Sequence, residues 1–312
     1  MENLLFSLNV VSPIFLLMCV GAFLKKVKIF DDDFLVKANS FVFKILFPVL
    51  LFNNIYKSEI AEEVNVKLII FAIGIVLVTI GILFIIVPKF EKDNKNRGVI
   101  IQGLYRSNFV LFGVTLCTNI FGESGLGVVT TIVAIIIPIY NFMAVIILDV
   151  YSNDKSNLKK TVISIMKNPL IIGSILGIIA SALKIKLPEF MENTISDIAK
   201  VATPFALMLL GGDIEIRNIR NNLKYVTVVV IGKLLVIPAL VSFVTVLFGF
   251  RGVELGAIFS MVAPSVAVTS YTMAQQYDCN YELAGQLVFV STLVSPFSIF
   301  LFIYFFKTVG LF

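Results

Sequence analysis

The chain has 312 residues, of which 58% are hydrophobic and only 14% charged, too apolar for an ordinary soluble domain. Its net charge of +5 is spread over short loops rather than gathered on one face, which argues against nucleic acid as a partner. Histidine is absent, so histidine catalysis, histidine–metal sites and histidine proton relays are excluded. Cys19, Cys117 and Cys279 lie too far apart for a metal or cofactor and read as packed thiols.

In chain order, apolar segments fall at 4–24, 34–56, 67–88, 98–120, 126–149, 169–187, 196–213, 224–248, 253–275 and 282–306. Each is close to the ~20 residues that cross a hydrocarbon core of ~30 Å. The first has no basic residue before it and is followed by Lys25 and Lys26, the flanks of an uncleaved span rather than a secretory leader. The loops are short and polar, with no inserted soluble domain. They divide the chain into a first unit at 1–150, a linker at 151–168 and a second unit at 169–312.

Lysines and arginines are unevenly shared between alternate loops. One set carries 14: Lys25, Lys26, Lys28, Lys89, Lys92, Lys95, Arg97, Lys155, Lys159, Lys160, Lys167, Arg217, Arg220 and Lys224. The other, with both termini, carries 6: Lys57, Lys67, Lys184, Lys186, Arg251 and Lys307. The richer side is expected to be cytoplasmic, leaving both termini outward. The short loops point to a bacterial inner membrane.

The two halves echo each other. Pro13 and Gly21 recur 156 residues later as Pro169 and Gly177, and Ser40, Lys44 and Pro48 recur as Ser196, Lys200 and Pro204. Gly98 and Pro138 recur 158 residues later as Gly256 and Pro296. Each half holds five segments, an odd number, so the second half enters the bilayer from the opposite side. An inverted repeat of this kind gives one fold two pseudo-equivalent states, the usual construction of a secondary transporter.

Binding sites in such folds lie where helices are interrupted near mid-membrane. In the ninth segment Pro264 removes a backbone donor, and Ser265, Thr269 and Ser270 can satisfy freed carbonyls or touch a ligand. In the fourth, "QGLYRSNFVLFG", Arg106, Ser107 and Asn108 stand together between Gly103 and Gly113. Side chains that bond locally to backbone compete with the helix there. Two broken helices facing each other aim partial positive charge at the midplane, which suits a carboxylate, and Arg106 adds a full charge. Against this, Arg106 could snorkel or pair with Asp149, and Asn108 could serve helix packing alone. Asn53, Asn54 and Asn141 are further cavity candidates, Asn141 the best of them because it follows Pro138. Lys44 and Lys200 read as snorkelling anchors, Lys233 as the partner of an acid, and Gly173 and Gly177 as a close helix contact. Pro48 and Pro204 are expected to be helix breaks alongside Pro264. No cofactor and no metal site is expected.

The stretches "FVFKILFPVLLF", "YRSNFVLFG", "PIYNFMAV", "KNPLIIGSILG", "ATPFALMLLGG", "KLLVIPAL" and "PSVAVTSYTMAQQY" resemble the auxin efflux carrier family, which includes plant auxin exporters and bacterial malate or malonate permease-like proteins. The resemblance covers essentially the whole chain. It implies an all-α membrane protein of ten transmembrane helices, built as two inverted five-helix repeats with crossing, interrupted helices four and nine, a plan similar to that of the bile-acid/sodium symporters. It also implies a scaffold and a transport part, elevator-like movement, an organic-anion (carboxylate) substrate and a homodimer joined through scaffold helices. Family crossovers usually contain proline; the fourth segment here has Arg106-Ser107-Asn108 instead. A carrier is therefore expected, not an enzyme. The alternatives are a sodium-coupled organic-anion symporter and a membrane sensor on a transporter fold.

Overall fold

The computed structural model describes residues 2–57, 65–152, 163, 166–213 and 222–312, and among these every regular element is helical. The helices are α1 (Glu2–Lys26), α2 (Asp32–Tyr56), α3 (Val66–Phe90), α4 (Asn94–Tyr105), α5 (Phe109–Phe121) and α6 (Glu123–Tyr151). They continue as α7 (Pro169–Ala182), α8 (Glu189–Asp213), α9 (Leu223–Leu247), α10 (Gly252–Val262), α11 (Thr269–Gln276) and α12 (Tyr281–Val309). Short polar side chains set the starts. Asp31 accepts from Phe34 N at 2.7 Å, Asp93 from Lys95 N at 2.9 Å, Asn168 from Leu170 N at 2.8 Å and Asn280 from Leu283 N at 2.9 Å, each satisfying an orphan donor of a first turn.

Six of these helices (α2, α3, α6, α8, α9 and α12) are long and apolar enough to span a bilayer. Their outer faces are apolar as well: Ile70 and Ile85 on α3, Leu240 and Phe243 on α9 and Phe297 and Tyr304 on α12 are all exposed. A solvent of lipid is what such a surface requires. The chain is an integral membrane protein.

The fourth and ninth apolar segments are each two helices, α4 with α5 and α10 with α11. The sixth helix region ends at Ala182, ahead of the expected limit of 187, in a turn where Lys184 has φ 49°. The seventh begins at Glu189, earlier than 196, because its polar first turns lie exposed beyond the apolar stretch. Most of the linker expected at 151–168 lies outside the described residues, as do Lys155, Lys159, Lys160, Arg217 and Arg220.

Two of the three expected proline breaks are corrected. The helix runs on through Pro204 within α8. At Pro48 it also continues, through one widened π turn, Val42–Leu46, closed by Phe47 N bonding to Val42 O. Proline removes a single donor, and a local π adjustment in a membrane helix absorbs that loss. The same device precedes Pro238 on α9, where Gly232–Val236 forms the π turn. Only Pro264 stands in a true interruption.

The helices pack as two groups. In the first, α1 lies along α8, and α2 lies against α7 and α8; Gly173 and Gly177 let α7 approach the backbone of α2 at Pro48 and Phe52. In the second, α6 is central and packs on α4, α5 and α10, with α3, α9, α11 and α12 around it. Contacts of α1 with α12 and of α6 with α7 join the groups.

Candidate functional site

Both interruptions contain non-helical backbone, and they meet. Arg106 leaves α4 with φ −85° and ψ 117°, and Ser107 forms an isolated antiparallel bridge with Val266. Asn108 N donates to Ser265 O at 2.8 Å. Val266 N donates to the hydroxyl of Ser291 on α12 at 3.0 Å. Each gap therefore satisfies backbone groups that the other frees, which is how non-helical chain survives at membrane depth.

The carbonyl ends are covered too. Ser107 Oγ donates to Met261 O, near the C-terminus of α10, and Tyr140 OH approaches the same oxygen at 3.5 Å. Lys233 Nζ donates to Val262 O at 3.0 Å. Lys233 is fully buried and, among the described ion pairs, has no acid; the expected acidic partner is a carbonyl instead. Gly113 fits only as glycine, because a β-carbon there would collide with Ser260 O of α10.

Beside the junction lies a cavity of about 330 Å³, near the lower end of the ~300–1,000 Å³ typical of small-molecule sites. The second helix group supplies Arg106, Ser107, Asn108, the first turn of α5, Tyr140, Asn141 and Thr269. The first supplies Leu50 and Asn54 of α2 and Lys200 and Thr203 of α8. The start of α5 at Phe109–Leu111 and the start of α11 at Thr269 both front the cavity, so the positive dipole ends of two half-helices converge there.

Arg106 is 4% exposed. Its Nη1 donates to Met273 Sδ at 2.8 Å and its Nη2 to Asn141 Oδ1. Among the described residues it has no carboxylate partner, and Asp149 is not its neighbour in any ion pair. A charge at mid-helix costs about 2.5–3.5 kcal/mol on insertion scales, and here the cavity beside it is the natural compensation. Asn141 Nδ2 is buried without an acceptor, and the side-chain amide of Asn108 makes no hydrogen bond among the described residues while facing the cavity. The wall thus offers donors from Arg106, Asn108 and Asn141.

Of the residues singled out from sequence, Arg106, Ser107, Asn108, Asn141 and Thr269 are brought together. Pro264 and Ser265 are not: both are buried behind the wall, Ser265 held by Asn108 N through its carbonyl and by Thr292 Oγ1 at 3.2 Å through its hydroxyl. The chain needs 265–268 to cross the junction before α11 begins, so the cavity face falls at Ala267–Thr269. Tyr140 and Thr203 were not legible as lining residues. Lys200, read as an anchor, lines the cavity mouth and pairs with Asp197 at 2.9 Å, whereas its repeat counterpart Lys44 faces outward.

A family model described as membrane transport protein matches residues 6–303. An uncharacterized transporter of Methanocaldococcus jannaschii is 24% identical over 92% of this chain and 95% of that protein. An uncharacterized transporter of Methanothermobacter thermautotrophicus is 21% identical over 94% of this chain and 96% of its own. A Rhizobium meliloti protein carrying the name "Putative malonate transporter" is 21% identical over 82% of each chain.

Proposed function

The chain belongs to the membrane transport protein family that includes the auxin efflux carriers, and on that premise we propose that it is a secondary carrier moving a small carboxylate anion by alternating access. One observation carries this reading. The cavity at the meeting point of the two interrupted helices combines two half-helix N-termini with a buried arginine that has no acid among the described ion pairs. Anion stabilisation is what that combination does. The name of the Rhizobium relative is consistent with a short carboxylate.

The buried arginine and both half-helix N-termini of the site belong to the second helix group, while α2 and α8 supply the facing wall with Asn54, Lys200 and Thr203. This supports an elevator-like movement, in which the second group carries the anion past the first. Asn39 donates to Gln275, Tyr271 OH to Asp213 at 2.7 Å, and Asn168 Nδ2 to Tyr277 OH at 2.8 Å. These bonds join α11 and its end to α2, α8 and the start of α7 on the side opposite Asn54. With the lysine-rich loops inside, the cavity faces outward and these bonds close the inner path.

The test is initial uptake of radiolabelled malonate into proteoliposomes, with and without sodium, against a neutral diamide of the same length. Uptake of malonate alone, lost on Arg106→Ala in monodisperse protein, is expected. Equal handling of both compounds, or full uptake by Arg106→Ala, would sink the reading. A requirement for sodium would select the symporter alternative.

A further inference from the structure

We infer that Lys233 is a positioning residue for the site: its ammonium holds the carbonyl end of the interrupted helix α10 and thereby fixes where the first turn of α11 presents itself to the anion. The inference rests on the carrier reading for its transport arm but not for its structural one.

Lys233 lies outside the cavity. It sits on α9 within the π turn Gly232–Val236, with 0% exposure. The π turn displaces the side chain from the ordinary helical register. Its Nζ is directed at Val262 O, 3.0 Å away, the last carbonyl of α10. Carbonyls at a helix C-terminus lack intrahelical donors and carry the negative end of the dipole. Here Pro264 deepens the deficit, having no N–H for Ser260 O. An apolar side chain would fill the same space among Leu234 and Val262 without the insertion cost of a charge. A cation kept there, aimed at one of the carbonyl oxygens at the break, has the break as its object.

The consequence passes to the site along the chain. Val262 leads through Pro264 and the Ser265 carbonyl that receives Asn108 N to Ala267, Val268 and Thr269 on the cavity wall. Releasing Val262 O therefore disturbs both half-helix N-termini. Arg106 binds the anion directly; Lys233 acts through backbone.

The experiment compares Lys233 with Lys233→Arg, Lys233→Gln and Lys233→Met. The first readout needs no substrate: the alkylation rate of a Thr269→Cys reporter by a small maleimide in detergent, with Leu50→Cys as the control. The background is Cys19→Ser, the other two thiols being buried. Lys233→Met and Lys233→Gln are expected to change the alkylation rate of the Thr269→Cys reporter at least fivefold and leave that of the Leu50→Cys control within twofold, while Lys233→Arg stays within threefold of the parent. The second readout is malonate uptake, where the neutral variants are expected to raise KM at least fivefold with a smaller change in Vmax. Unchanged reactivity of the Thr269→Cys reporter in a monodisperse Lys233→Met variant overturns the assignment. So does failure of both the Lys233→Arg and Lys233→Gln variants to purify monodisperse, which would make the lysine a packing element. If the parent moves no malonate, the carboxylate reading fails, yet the alkylation arm still decides on Lys233.

Discussion

Gly21 on α1 lies so close to the backbone carbonyl of Met208 on α8 that a β-carbon on the glycine would collide with it. Gly177 on α7 stands in the same relation to Phe52 O on α2, at 3.1 Å from an added β-carbon. Both members of the second contact are displaced by 156 residues from those of the first, in swapped order. Gly98 beside Cys279 and Gly256 beside Phe121 form another swapped pair, at an offset of 158. Such swapped pairs are what a two-fold relation between the halves would produce, with its axis expected near the Ser107–Val266 bridge. In an experimental structure, residues 1–150 should superpose on 165–312 after a half-turn about an axis in the membrane plane, bringing Pro48 onto Pro204. Placement of those prolines on non-equivalent helices would remove the repeat and the alternating-access argument with it.

The same contacts set a stability ranking. Gly21→Leu and Gly113→Ala force overpacking against backbone and should each destabilise by about 1–3 kcal/mol or more. Gly74→Leu and Gly81→Leu meet open space and should leave the melting temperature unchanged. Thermal unfolding in detergent separates the two classes; equal melting temperatures would show that the α1–α8 and α5–α10 approaches are loose.

Asn141 holds Arg106 with its oxygen and keeps a spare donor. Asn141→Leu removes both, leaving the guanidinium short of an acceptor, and should weaken anion binding by about 1–3 kcal/mol. Asn108→Ala should abolish flux while the protein stays monodisperse. Scintillation proximity binding and uptake check both; parental affinity in the two variants would put the anion elsewhere.

The bonds opposite the cavity make a reversible lock. Asn39→Cys with Gln275→Cys, in the Cys19→Ser background, should be bridged by a short bis-methanethiosulfonate reagent, because the parent side chains meet at their amide ends, beyond the span of a direct disulfide. Bridging should stop uptake and reduction should restore it. Undiminished transport by the crosslinked protein would show that these elements do not part during the cycle.

Sidedness follows from the charge count. Cysteine at Lys184, in an exposed turn, should react with an impermeant reagent from outside, and cysteine at Lys28, also exposed, only from inside. The reverse pattern would invert the assignment and make the cavity inward-facing.

The helical segments and both interruptions could be read from sequence because each leaves a local mark: apolar length for a span, and Pro264 or the Arg106–Asn108 cluster for a break. The break at 106–108 was legible without proline because three consecutive polar side chains gain nothing from a continuous apolar helix. Pro48 and Pro204 carried the same mark as Pro264 and misled, since whether proline interrupts depends on who satisfies the freed backbone. At Pro264 the partners are Ser107, Lys233 and Ser291, all remote in sequence. Lys44 and Lys200 are alike locally; only the packing of α8 across the cavity distinguishes them. Tyr140 likewise acquires its place from the junction it abuts.

The exchange of backbone partners between the two gaps also bears on how the chain is made. Asn108 is synthesised 157 residues before Ser265, the acceptor of its amide. At ~5–20 residues per second, the first gap waits roughly 8–30 s for its counterpart, with the Asn108 amide unanswered. Lipid cannot hold such a segment. Segment four must therefore linger in a hydrated insertion channel, or against another protein, until the ninth arrives. A ribosome-arrested chain ending before Ala263 should leave a cysteine at Ser107 open to a water-soluble reagent, and the completed, released chain, where this position is buried, should shield it.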